Sequence, residues 1–151
     1  MRKILVANRA EIARRVMRTA RRMGIATVAV CSEADRRAPH VREADGAVFL
    51  GPSPSSESYL VMDKIIAAAM ETGADAIHPG YGFLSENATF AQKVTDAGLI
   101  FIGPKPHAIE VMGNKLAAKE AVSGYDIPMV PGIEESITDV DLALKIGDEV
   151  G

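Results

Sequence analysis

Two hydrophobic patterns alternate along the first two thirds of the chain. Short unbroken apolar runs stand at 3–7 (KILVA), 25–31 (IATVAVC), 46–50 (GAVFL), 75–78 (DAIH) and 99–102 (LIFI). Runs of this length read as strands buried on both faces. Between them the apolar residues return at helical spacing: Ile12, Val16, Met17, Ala20 and Met23 before Gly24; Leu60, Ile65, Ile66, Ala69 and Met70 before Gly73; Phe90, Ala91, Val94 and Ala97 before Gly98. A glycine just past the last periodic residue is a stop signal. The spacing predicts helices over 9–23, from Tyr59 to 73 and around 90–97, with Asn8 placed to cap the first and a helical turn at 38–44. Strand and helix alternating in this way predict an α/β fold, a doubly wound parallel sheet with right-handed crossovers.

The pattern changes after position 103. Gly103-Pro104-Lys105-Pro106 reads as a rigid turn, 107–123 as one or two helices broken near Gly113, and PMVPG at 128–132 as a further turn. The last stretch offers Ser136 or Thr138 as a cap before Val140, Leu142, Ala143 and Ile146. These elements are too few to enclose a core of their own. The expected division is therefore 1–103 as one domain and 104–151 as linker helices and the start of a second.

The most distinctive stretch is HPGYGFLSEN, 78–87, between the fourth strand and the next helix. Strand, glycine-rich turn and helix in that order place the turn at the carboxyl end of a parallel strand, where open α/β sheets bind ligands. Pro79 biases His78 to an extended backbone, and Gly80 and Gly82 permit positive φ or close backbone approach. Tyr81, between the glycines, is expected to point out of a shaped loop. A tight connection with an aromatic lid over the core fits the same spacing.

Composition and charge exclude several classes. With 48% hydrophobic and 25% charged residues in 151, the chain reads as a globular protein with a real core, not a disordered one. No apolar run approaches the roughly 20 residues that span a bilayer, and no signal peptide precedes the first strand. A cytoplasmic location is expected, or a mitochondrial matrix if a transit peptide has been removed, with neither nucleic acid nor membrane as partner. The single cysteine, Cys31, ends an apolar run and reads as a buried thiol.

Charge is uneven: residues 1–42 hold eleven Lys/Arg against three Asp/Glu, the remainder six against seventeen. One face of the first helix carries Arg14, Arg15, Arg18, Arg21 and Arg22 with Glu11 as its one acid. Like charges at three and four apart repel, so this face is either solvated or covered by an acidic partner. The turn after the first strand, NRAEIA, has no glycine, which removes the dinucleotide fingerprint; Glu33 and Asp35, near where a ribose-binding acid would stand, then read as turn residues. The serines of GPSPSSES, 51–58, fit a surface loop better than a phosphate site. Three histidines without ligand spacing give no metal site.

Several long strings, KILVANRAEIARRVMRTARRMGI, SEADRRAPHVREADGAVFLGPSPSSESYL, ADAIHPGYGFLSEN, FIGPKPHAIEVMGNK and PMVPG, resemble the start of biotin carboxylase, and the resemblance covers essentially the whole chain. It implies a Rossmann-like domain preceding an ATP-grasp domain, in an ATP-dependent carbon–nitrogen ligase of acyl-CoA or keto-acid carboxylases. ATP, Mg²⁺ and biotin are the implied cofactors. The implied partners are a biotin carboxyl carrier protein or domain, a carboxyltransferase component and a second copy in a homodimer. The resemblance places Lys115, of MGNK, against ATP; Tyr81, Gly80, Gly82 and Glu86 in a loop on the biotin side; and Arg15 and Arg18 at an interface. It also implies that the carboxylates for Mg²⁺ and the bicarbonate and proton-transfer residues lie beyond the matched segment, so the chain alone is expected to be inactive. Three positions depart from the family pattern: Ala10 stands where glycine is usual, Asn114 where aspartate commonly precedes the lysine, and Arg22 where relatives often carry an acid. An assembly module using the arginine face of the first helix is the rival reading.

Overall fold

The structure, a computed structural model, describes residues 1–125, 127–128 and 139–150; for 115–116 and 149–150 it describes the helical backbone alone. The expected caps Ser136 and Thr138, and Pro131 and Gly132 of PMVPG, lie outside the described residues. Five strands, β1 (Lys3–Val6), β2 (Ala26–Ser32), β3 (Gly46–Gly51), β4 (Ala76–His78) and β5 (Ile100–Phe101), form one sheet in the order β3-β2-β1-β4-β5. Every neighbouring pair is parallel. Helices α1 (Ala10–Arg22), α2 (Pro39–Glu43), α3 (Met62–Thr72) and α4 (Ala88–Asp96) connect the strands. The expected α/β sheet is thus observed, with boundaries within a few residues of those the apolar runs imply.

Strand alternation sorts the core into two layers. Ile4, Val6, Ala29 and Ala76 face Ala13, Met17 and Ala20 of α1. Leu5, Val28, Val30 and Ile77 face the other way, toward Ile65, Ala68 and Ala69 of α3 and Phe90 and Val94 of α4. Phe90 is wholly buried, and burial of such a side chain contributes about 1.5–3 kcal/mol. Asn87 begins α4 by accepting the Phe90 N–H on its side-chain oxygen at 2.8 Å, the usual service of an N-cap asparagine.

Two expectations fail locally. Tyr59 does not open α3, which starts at Met62; it lies in the preceding turn, 1% exposed, because its hydroxyl is drawn inward to Ser32 and Asp35. Nor does Asn8 cap α1. The N-cap is Arg9, with no side-chain capping bond, because the Asn8 amide is committed elsewhere.

By its contacts the chain divides into two compact units, Met1–Ile109 and Glu110–Gly151. Helix α5 (Pro106–Gly113) precedes α6 (Lys115–Ser123) with the break at Asn114, and α7 (Val140–Val150) follows. Asp139 caps α7: its Oδ1 accepts the N–H groups of Asp141 and Leu142 at 2.9 and 3.2 Å.

Candidate functional site

In this strand order the chain leaves β1 toward β2 on one side and reaches β4 on the other, so the carboxyl ends of β1 and β4 flank the topological switch point. Two loops meet there, 7–9 after β1 and 79–87 after β4. The Ala7 N–H donates to the His78 carbonyl at 2.9 Å, continuing the ladder one step beyond the strands. Asn8 follows, 4% exposed. Its Nδ2 donates to the carbonyls of Pro79 (2.9 Å) and Tyr81 (2.8 Å), and its Oδ1 accepts the Arg9 N–H at 2.9 Å.

The loop has the backbone its composition implies. Gly80 (φ +70°) and Gly82 (φ +63°) are left-handed. A Cβ on Gly80 would stand 2.7 Å from Asn8 Nδ2, so glycine is required there for space as well as for conformation. The Gly80 N–H donates to His78 Nδ1 at 3.0 Å, and burial lowers the His78 pKa from its ordinary value. Tyr81 points outward, 62% exposed, and its hydroxyl donates to Glu11 Oε2 of α1 at 3.0 Å. That bond, with the Glu11 charge, raises the tyrosine pKa. Glu86, from the same loop, is exposed.

A second cluster secures the far side of the loop. Phe83 stacks on Tyr59 with centroids 5.1 Å apart and planes at 2°. The Arg9 guanidinium lies 5.4 Å from the Tyr59 ring and 5.5 Å from the Phe83 ring, a cation–π arrangement. Asp35 Oδ2 accepts Tyr59 Oη at 2.7 Å, Ser32 Oγ at 3.1 Å and Arg9 Nη1 at 3.2 Å. Asp35 is therefore more than a turn residue. Its role escapes a local reading because its partners lie 24 and 26 positions away. Burial and the hydrogen bond to Asp35 push the Tyr59 pKa strongly upward, leaving the phenol a donor.

Ala10, the first residue of α1, has φ +53°, a region costly for any residue with a Cβ. The glycine that the resemblance implies at this position would fit that backbone without strain.

The arginine face is partly answered within the chain. Arg14 makes a two-point contact with Glu43 of α2, with Nε 2.9 and 3.0 Å from the carboxylate oxygens, and Arg21 reaches the Glu43 carbonyl. Arg15, Arg18 and Arg22 remain exposed on α1. Lys115 opens α6, but its side chain lies outside the described residues. Cys31 is buried, and desolvation raises its pKa, as suits an inert thiol. Among the described residues no group of three or more His, Cys, Asp or Glu side chains is placed to hold a metal ion, and no helix is long and apolar enough to cross a membrane.

Against known proteins, residues 1–109 match the family described as "Biotin carboxylase, N-terminal domain". The propionyl-CoA carboxylase alpha chain of Ruegeria pomeroyi is 52% identical over 149 residues, 99% of this chain and 22% of that one. Biotin carboxylase 2 of Bacillus subtilis is 48% identical over 149 residues, 99% of this chain and 34% of the relative. Among solved structures, the biotin carboxylase domain dimer of Hydrogenobacter thermophilus 2-oxoglutarate carboxylase, in complex with MgADP, ADP and bicarbonate, superposes with a TM-score of 0.90 at 45% identity, covering 99% of this chain and 33% of that one. The chain thus spans between a fifth and about a third of the length of these proteins.

Proposed function

Since the chain belongs to the biotin carboxylase family, whose N-terminal domain covers its residues 1–109, we propose that it supplies the N-terminal part of an enzyme that uses ATP, Mg²⁺ and bicarbonate to carboxylate biotin on a carrier. The observation that carries this reading is the collinear match over 149 residues to a biotin carboxylase of which it is a third. In the complete enzyme the 79–87 loop, with Tyr81, Gly80, Gly82 and Glu86, lines the biotin side. Lys115 contacts ATP as a point charge suited to phosphate, and residues 104–151 begin the ATP-grasp domain. The family resemblance implies that the carboxylates holding Mg²⁺ lie beyond the matched segment, and on that reading this segment alone is inactive. The enzyme works with a carrier protein or domain and a carboxyltransferase component, in the cytoplasm or the mitochondrial matrix.

The test is a chimera in which this chain replaces the aligned 149 residues of Bacillus subtilis biotin carboxylase 2. Bicarbonate- and biotin-dependent ATP cleavage is expected; a folded chimera without it overturns the reading. Lys115→Ala in the chimera is expected to raise the KM for ATP roughly tenfold or more, the scale of losing a charge-assisted phosphate contact; an unchanged KM rejects that assignment.

The exposure of Arg15 and Arg18, beside arginines already engaged by Glu43, favours a second role for α1 as a subunit contact in a homodimer. Sedimentation of the chimera with Arg15→Glu and Arg18→Glu tests it: dissociation is expected, and unchanged association leaves that face solvated.

A further inference from the structure

Asn8 belongs to β1's end of the sheet, yet all of its side-chain hydrogen bonds but one go to the tyrosine loop. Its two amide hydrogens are divided between the Pro79 and Tyr81 carbonyls, which bracket Gly80, while its oxygen holds the Arg9 N–H. Both donors of the amide and one lone pair of its oxygen are used, and the pattern fixes its orientation, since carbonyl oxygens accept only and an N–H donates only. No other side chain meets this demand. Aspartate would set a carboxylate oxygen against two carbonyls. Serine is too short to reach both, and glutamine is one methylene too long for a site where Gly80 already leaves no space for a Cβ.

We propose that Asn8 is a positioning residue for the substrate-facing loop: its amide holds residues 79–81 in the one conformation that presents Tyr81 to solvent. The inference rests on the reading that this loop lines the biotin side. The rest of the loop supports a clamp rather than a passive core contact. Phe83, two residues beyond Tyr81, is held against Tyr59, so the segment is tied at both ends while Tyr81 and Gly82 between them stay exposed. Asn8 reaches the site through the backbone carbonyls of Pro79 and Tyr81. Its effect is therefore on where Tyr81 sits, not on chemistry.

Two measurements separate this inference from the reading beneath it. In the chain itself, hydrogen exchange of the 80–83 amides is compared between the parent protein and Asn8→Asp, with Asn8→Ser as the second variant should the first not fold. Faster exchange confined to that loop is expected; exchange unchanged there overturns the clamp. In the chimera, Asn8→Asp is expected to raise the KM for free biotin roughly tenfold or more, the scale of a misplaced binding group, with the KM for ATP unmoved. A folded variant with loosened loop exchange but an unaltered biotin KM overturns the positioning role. Tyr81→Ala then tells which statement failed: if it raises the biotin KM, only the Asn8 inference falls, and if it does not, the assignment of the loop to biotin falls with it.

Discussion

The Asp35 carboxylate and the Tyr59 hydroxyl are hydrogen-bonded at 2.7 Å, and this contact joins the end of β2 to the aromatic pair that backs the tyrosine loop. The same carboxylate oxygen takes bonds from Ser32 and Arg9. One acid therefore fixes the tyrosine, the arginine above it and, through ring stacking, Phe83.

Tyr59→Phe keeps the ring and its stack but removes a donor from a nearly closed site. A cost of roughly 1–3 kcal/mol is expected, the scale of leaving buried polar groups without a partner. Urea denaturation at neutral pH measures it, and a change within experimental error would show that the hydroxyl contributes nothing net.

Asp35 also sets an acid limb. Burial pushes its pKa upward, but the hydrogen bonds from Tyr59, Arg9 and Ser32 outweigh burial and hold it below the ordinary value. The folded state thus binds this proton less tightly than the unfolded one. Its stabilisation is complete above the unfolded pKa of about 3.9 and is lost as pH falls through the folded value. Asp35→Asn should be less stable at neutral pH and show a shallower loss of stability below about pH 4; an acid limb identical to the parent's rejects the linkage.

Ala10→Gly is expected to stabilise the protein. A left-handed residue with a Cβ costs roughly 1–2 kcal/mol, while glycine's greater freedom in the unfolded chain returns part of that gain. A net increase of about 0.5–1 kcal/mol follows from these magnitudes, visible as a higher urea midpoint with unchanged slope. A lower midpoint would mean that the methyl group makes a packing contact worth more than the strain.

The strands and α1 are legible in the sequence because their signal is periodic and local. Ile4 and Val6 point one way and Leu5 the other, as a run of apolar residues between turn signals implies. Tyr59 is misread for the same reason: Tyr59-Leu60-Val61 joins smoothly onto the apolar pattern of α3, and only Asp35, far back in the chain, explains why it turns inward. Asn8 illustrates the limit at the site. A lone asparagine before a helix is a cap by local rules, whereas its partners stand 71 and 73 residues ahead. The glycines of the loop were readable as positive-φ positions; that one of them backs onto Asn8 is a property of the sheet order, which brings β1 beside β4.

Gly80→Ala should be among the more damaging single substitutions in the loop. It combines a left-handed φ with a Cβ 2.7 Å from the Asn8 amide, so the loop must shift or the asparagine must lose its bonds. A loss exceeding about 1 kcal/mol is expected from the backbone alone, read as a lowered urea midpoint. The control is Gly82→Ala in the same loop, which has a similar left-handed φ of +63° but where a Cβ meets nothing within 4 Å; equal losses at both positions would remove the close approach as the cause.

His40 gives the protein a second pH dependence, in a milder range. The ring is wholly buried; Nε2 stands 3.3 Å from the Val30 carbonyl and so carries the proton, while Nδ1 has no partner among the described residues. Protonating Nδ1 would place a charge in the core with no acceptor. Burial accordingly lowers its pKa, with Arg9 acting in the same direction, and the Val30 carbonyl and the Asp35 and Glu43 charges only partly oppose it. A histidine depressed in the fold binds fewer protons there than in the unfolded chain, so stability is full above the unfolded pKa of about 6.5 and declines as pH falls below it toward the folded value. His78 is shifted in the same direction by burial and adds to the decline. The urea midpoint should therefore drop between roughly pH 7.5 and 5.5, the drop should shrink in His40→Leu, and the remainder should be assignable to His78. A decline of undiminished size in the His40 variant would place the titration elsewhere.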